Sequence, residues 1–304
     1  MKLQTLATTL TLLAASLVPQ AVQAQVFDSG PSPSSSFEIV INLPGDEMVI
    51  TGDEDESVGG SGETTQLNVS AGMVGRSFFA GFNSEVNISG GSVEDLFTAF
   101  SGSEVNISGG TLGNFFDAFS GSQVNISGGT VGDFFDAFSG SEVNISGGTV
   151  GDFFDANSGS EVNISGGTVG DFFDANSGSE VNILGSAFSI NGEPLNMLQA
   201  GQPFTITGRD VTLSGVLADG EPFSFDLNST PYSDQDFFSP DATLTVTLFL
   251  LADVNLDGSV NFFDISPFIE LLLSNQFQNE ADIDRNGVVN FFDISPFIEI
   301  LSGA

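Results

Sequence analysis

Between residues 65 and 185, apolar and polar positions recur every 19 residues, with neither the short period of an amphipathic helix nor that of a lone strand. Five close copies start at Ser84, Ser103, Ser122, Ser141 and Ser160, with a degenerate copy from Thr65 and a truncated one from Ser179. The unit reads Ser-Glu-Val-Asn-Ile-Ser-Gly-Gly-Thr-Val-Gly-Asp-Phe-Phe-Asp-Ala-Phe-Ser-Gly, and residues 141–159 are identical to 160–178. A fixed short period with paired glycines and β-branched residues predicts a mainly β fold: a parallel β-solenoid, or β-helix, of 19-residue coils. A leucine-rich repeat has a similar period, but its leucine spacing is missing. Coils stacked as parallel strands lie ~4.8 Å apart, so seven copies predict a stack of roughly 33 Å.

Comparison of the copies sorts inside from outside. The third and fifth positions are always apolar (Val86 and Ile88, Val105 and Ile107), which turns both to the core and leaves Asn87 and Asn106 pointing out between them. The second Phe position never changes, so Phe78, Phe97, Phe116, Phe135, Phe154 and Phe173 are expected to stack inside. The position before it runs from Ser77 through Leu96 to Phe115, which places Phe115, Phe134, Phe153 and Phe172 outside or at a corner. There they are either covered by a neighbouring loop or exposed as a docking stripe.

Acids also fall in rows: Glu85, Glu104, Glu142, Glu161 and Glu180; Asp133, Asp152 and Asp171; Asp136, Asp155 and Asp174. Carboxylates stacked one coil apart repel by about 1 kcal/mol per neighbour in water. The rows are therefore a solvated acidic face or are bridged by cations. The Asn-Ile-Ser row matches a glycosylation acceptor, but it more simply supplies ladders of side-chain amides between coils.

The flanks differ in composition. Residues 1–24 read as a secretory signal, with Lys2, an apolar run over 6–18 and a small-residue cleavage site ending at Ala24. Residues 25–64, rich in Ser, Gly and acid with a strand-like stretch at 37–43, are expected to cap the first coil and block its edge. Residues 186–250 hold short strands with turns at Asn191-Gly192 and Asp219-Gly220, which makes them a β-rich distal cap or linker domain. Within 242–252, apolar residues alternate with Thr243, Thr245 and Thr247, as a strand requires.

Formal net charge is −36, a field that repels nucleic acid and anionic membranes and attracts divalent cations. Yet 40% apolar content and 31 Phe exclude simple acidic disorder. The chain has no Cys and no His, and its Lys and Arg total 4. Disulfides, thiol chemistry, histidine-based nucleophile activation and the cationic residues of β-helix lyases are thereby removed.

The densest chemistry lies in residues 251–304. Residues 253–264 (Asp-Val-Asn-Leu-Asp-Gly-Ser-Val-Asn-Phe-Phe-Asp) and 282–293 (Asp-Ile-Asp-Arg-Asn-Gly-Val-Val-Asn-Phe-Phe-Asp) each place oxygen side chains at the first, third, fifth, ninth and last loop positions. A glycine at the sixth permits the sharp turn, and the seventh lends its backbone carbonyl. Calcium, a hard cation wanting about six to eight oxygens, is the ion this spacing wraps. Each loop is followed by Ile-Ser-Pro-Phe-Ile-Glu. Ile265, Phe268, Ile269 and Leu272, then Ile294, Phe297, Ile298 and Leu301, have helical spacing, with Ser266 and Ser295 as caps and Pro267 and Pro296 in the first turn.

This tandem resembles the type I dockerin, a duplicated calcium-loop-plus-helix module of secreted bacterial proteins. The resemblance implies one Ca2+ per loop. It assigns the ligands Asp253, Asn255, Asp257, Ser259 (carbonyl), Asn261 and Asp264 to one, and Asp282, Asp284, Asn286, Val288 (carbonyl), Asn290 and Asp293 to the other. It also implies an extracellular cohesin-like partner, met at Phe262, Phe263, Phe291 and Phe292, where dockerins usually carry small hydroxyl residues. Near-identical coils repeat every side chain, whereas catalysis needs a unique site. The reading is therefore a secreted calcium-binding solenoid with a structural or adhesive role. The alternative is a polysaccharide-degrading glycoside hydrolase using carboxylates alone. Recognition of a crystalline surface by the flat Asn-x-Ser rows is a third, more distant reading.

Overall fold

The computed structural model describes residues 38–41, 65–81, 84–231, 235–256, 258–274, 276–284 and 288–302. The expected signal segment and most of the N-terminal cap lie outside the described residues. Within that cap, Glu38–Ile41 forms a strand in parallel register with Thr65–Val69, continuing the sheet past the first repeat.

The repeats form a parallel β-solenoid of about six turns. Each turn contributes one long strand, such as Glu142–Val150, and one short strand, such as Phe135–Ala137. Registration is one repeat deep along the first half of each long strand, where Val143 pairs with Val124 and Val162 and Asn144 with Asn125 and Asn163. It slips by one residue at the Ser-Gly step, where Ser146 pairs with Gly166. The truncated copy from Ser179 adds only the strand Glu180–Ile190, after which the chain leaves the stack. It builds an antiparallel layer from Thr212–Leu217 and Pro222–Asp226 on that strand, turning at Asn191-Gly192 and around Asp219-Gly220. It then returns with Phe237–Phe238 and Thr243–Leu248, which complete the stack in parallel register. The expected seventh coil is thus assembled from two distant segments. The side chain of Arg209 fastens this end by donating to the carbonyls of Ile206, Gly208, Phe238, Ser239 and Ala242.

Three residues per coil adopt left-handed backbone and make its corners. In one coil these are Gly129 (φ 78), Phe134 (φ 62) and Gly140 (φ 83). At Gly129 the coils also approach too closely for any side chain, since a Cβ there would sit 2.7 Å from the carbonyl carbon of Gly109. This explains the second glycine of every Gly-Gly pair. Phe134 occupies the same backbone region without glycine's freedom, as do Ser77, Leu96, Phe115, Phe153 and Phe172. The variable aromatic row therefore belongs to a corner, where its rings stack on one another (Phe115–Phe134 5.0 Å, Phe134–Phe153 4.8 Å, Phe153–Phe172 4.6 Å). Phe115 and Phe134 remain 44% and 39% exposed, so no loop covers them.

Inside, Val124, Ile126, Val131, Phe135 and Ala137 of one turn are all 0% exposed. The invariant Phe column runs through the core with centroid spacings of 4.6–5.0 Å from Phe78 to Phe173 and ends edge-on against Phe225 and Phe238. From Ser103 to Ser179 the first residue of the repeat (Ser122, Ser141, Ser160) is buried and donates its hydroxyl to the carbonyl three residues back.

Outside, the asparagines form the expected ladder. Each Nδ2 donates to the Oδ1 one coil earlier from Asn87 to Asn182, at 2.8–3.0 Å. Glu104, Glu142 and Glu161 buttress it by accepting from the same amides. The Asp133 row is more than a solvated face. Asp95, Asn114, Asp133 and Asp152 each accept the backbone N–H one coil later, at 3.0 Å. Each coil being held by its immediate neighbours, deletion of residues 141–159 is expected to shorten the stack by one coil and preserve its β circular dichroism per residue. Collapse of that signal would contradict a simple stack.

Candidate metal centre

The two C-terminal loops fold alike because the same residues close the same hydrogen bonds. In the first, Asp264 accepts from the backbone N–H of Asn255 (3.0 Å) and of Asn261 (2.8 Å). In the second, Asp293 accepts from Asp284 (3.0 Å) and Asn290 (2.8 Å). Asn261 and Asn290 cap the following turns through Oδ1, accepting from Phe263 and Phe292, and donate Nδ2 to the carbonyls of Ser259 and Val288. Reciprocal capping boxes result at Phe262–Asp264 and Phe291–Asp293, which lead into α1 (Ile265–Ser274) and α2 (Ile294–Ser302).

The capping side chains are therefore Asn261 and Asn290, not the expected Ser266 and Ser295. A single 3-10 turn runs directly into each α-helix and moves the start of the helical segment upstream, which leaves the two serines inside α1 and α2.

The helices share one small core with Ala252, Val254, Ala281, Ile283 and Val289, centred on Phe268 and Phe297 stacked at 4.1 Å and 5°. Ile269 and Ile298, expected on that face, are instead 47% and 57% exposed, and Leu271 packs inward. Two contacts without a sequence signature tie the loops together: Ala252 N–H to the Glu280 carbonyl (2.8 Å) and Gln278 Nε2 to the Val254 carbonyl (2.9 Å).

Burial collects the acids. Asp253 is 3% exposed, Asp264 0%, Asp282 6% and Asp293 0%. In the second loop, carboxylate oxygens of Asp282, Asp284 and Asp293 all lie within 4.8 Å of one another. Oxygens on opposite sides of a calcium ion, each about 2.4 Å from it, lie about that far apart, so the donor set fits the ion. In the first loop, Asp253 Oδ2 accepts from Gly258 N–H at 2.8 Å, with Asp264 arranged as above. Asp257 and Asn286 lie outside the described residues. Asn261 and Asn290 use Oδ1 as caps, a role compatible with the ninth position, which often reaches calcium through water.

The four expected partner-facing residues sit at matching places before α1 and α2 and are widely exposed: Phe262 80%, Phe263 77%, Phe291 83% and Phe292 77%.

A β-solenoid followed by paired loop-and-helix units, each closed around buried carboxylates, defines the class of protein: a repeat domain carrying a metal-loop docking module. Residues 251–302 match the family model of the dockerin type I domain, so a dockerin type I domain follows the solenoid in this chain. Type I dockerins typically bind calcium, and a dockerin module implies binding to a cohesin partner. No curated protein and no solved structure matches the chain. Among the described residues, no helix is long and apolar enough to cross a membrane.

Proposed function

We propose that this is a secreted, calcium-dependent attachment protein in which the dockerin module fastens a structural or adhesive β-solenoid to an extracellular cohesin. The observation that carries the reading is the duplicated loop geometry, with three carboxylates of the second loop converging in a sphere of calcium's size. Asp253, Asn255, Asp257, the Ser259 carbonyl, Asn261 and Asp264 are the proposed ligands of one ion. Asp282, Asp284, Asn286, the Val288 carbonyl, Asn290 and Asp293 are those of the other. The solenoid is assigned a structural role because its side chains repeat coil after coil, which suits a periodic surface better than a single catalytic pocket.

Phe262, Phe263, Phe291 and Phe292 are the proposed contact residues, since four rings this exposed carry a standing cost in water until something covers them. Binding to a panel of type I cohesins, with calcium and with chelator, tests the reading. Replacing all four Phe by Ser is expected to abolish capture by the cohesin that binds the native protein, with little change in melting. Full binding by the fourfold variant, or calcium-independent binding, would overturn the assignment.

A further inference from the structure

The outward face of the short-strand sheet presents one unbroken row of acids. Asp117 pairs with Asp136, Asp136 with Asp155, and Asp155 with Asp174 in parallel register, one coil apart. Phe119 and Phe138 follow the strands that carry Asp117 and Asp136, and Phe115 and Phe134 sit at the left-handed corners that precede them. These rings stack along the solenoid (Phe119–Phe138 4.8 Å, Phe115–Phe134 5.0 Å) and flank the half-buried Asp117 and Asp136, while Asn157 and Asn176 take the Phe119 position beside Asp155 and Asp174. Strand pairing holds Asp136 and Asp155 side by side one coil apart, so their carboxylates repel when both are ionised, and a proton on one relieves the repulsion.

The surroundings offer little positive charge. Asp236, next to Asp226, lies at the distal end of the row, and Asp133, Asp152 and Asp171 occupy the adjoining corner. Asn157 donates to Asp136 at 3.3 Å. Arg76 is engaged with Asp95 near the first coils, and Arg209 with backbone carbonyls.

We propose that this row is a proton-holding spine: Asp117, Asp136, Asp155 and Asp174 share protons in mildly acid surroundings and tighten the coil stack, which loosens when all four ionise. Burial accordingly pushes Asp117 and Asp174 up to about 6, with the charges of Asp136 and Asp236 respectively adding to it. Burial, then Asp136 and Asp174, pushes Asp155 up to about 7, and burial raises Asp136 as well. Because folding raises these values, the folded state holds more protons than the unfolded chain. The resulting stability is fully present below the unfolded carboxyl range and is lost as pH rises through about 6 to 7.

The test uses the full chain in saturating calcium, with urea unfolding followed by β-sheet circular dichroism at about pH 5 and about pH 8. The native midpoint is expected to be higher at the acid pH. Asp136→Asn with Asp155→Asn should raise the midpoint at the alkaline pH and flatten the profile. Glu142→Gln with Glu161→Gln removes the same formal charge from the long-strand face and should leave the slope in place. Carboxyl carbon NMR should show aspartates titrating well above the ordinary range in the native chain and fewer in the Asn pair. A flat native profile, equal flattening by the Gln pair, or titration of every aspartate in the ordinary range would each overturn the spine.

Discussion

Chelating calcium is expected to melt the dockerin module while the solenoid keeps its β signal. The module has a small core of its own around Phe268 and Phe297, separate from the solenoid core. A unit of that size is marginal without a staple. Without the ion, three carboxylates of the second loop, two of them buried, crowd within 4.8 Å. The ion reverses that repulsion, and at a hundredfold excess over its dissociation constant it adds about 2.7 kcal/mol to folding. Asp293→Ala should cost more than a ligand, because the same carboxylate accepts two backbone N–H groups and completes the cap of α2. Calorimetry is expected to fall from one ion per loop to a single ion, with a lower melting point for the helical signal. Unchanged stoichiometry in this variant, or a helical spectrum indifferent to chelator, would defeat the calcium assignment.

The second large effect is expected at the centre of the aromatic column. Phe135 is 0% exposed, with Phe116 at 4.6 Å and Phe154 at 4.8 Å. Its replacement by Ala leaves a cavity that rigid neighbouring coils cannot fill, at a cost of about 3–5 kcal/mol. Phe134, its sequence neighbour, is 39% exposed at a left-handed corner. Phe134→Ala should cost only about 0.5–1.5 kcal/mol, the worth of its ring stacking. Phe134→Gly should cost less still, because glycine relieves the backbone strain. Denaturant midpoints of the three variants check the order, and equal losses for Phe135→Ala and Phe134→Ala would contradict the placement of the two rows.

The coil period and the inward Phe column are legible in the sequence because copies within one chain act as their own controls: Phe78 to Phe173 never vary while Ser77, Leu96 and Phe115 do. The same comparison does not show why the variable row is outside. Strand alternation points to the opposite face, but the cause is a positive φ that ends the strand, and no residue type at that position announces it. The corner acids are legible as a row and illegible in role, because the Oδ1 atoms of Asp133 and Asp152 accept backbone N–H groups of the next coil, a bond set by how the corner closes. In the docking module, loop spacing picks out Asp253, Asp264, Asp282 and Asp293, which the fold buries as a set. The helix starts are misread from sequence because Ser-Pro is a strong local signal, whereas the reciprocal bonds of Asn261 with Asp264 depend on how the loop closes. Ile269 and Ile298 fit helical periodicity, but the small core takes Phe268 and Phe297 with Ile265, Leu271, Leu272, Ile294 and Leu301 against them and leaves the two isoleucines outside.

The side-chain ladders of the solenoid point one way. Asn87 donates to Asn68, Asn106 to Asn87, and so on to Asn182, and the N–H groups of Asn114, Asp133, Asp152 and Asp171 likewise reach back to acceptors in the preceding coil. In these two ladders each turn leaves acceptors ready and the following turn brings the donors. A coil added at the C-terminal side of the stack therefore finds the acceptors of these two ladders already in place on the coil before it.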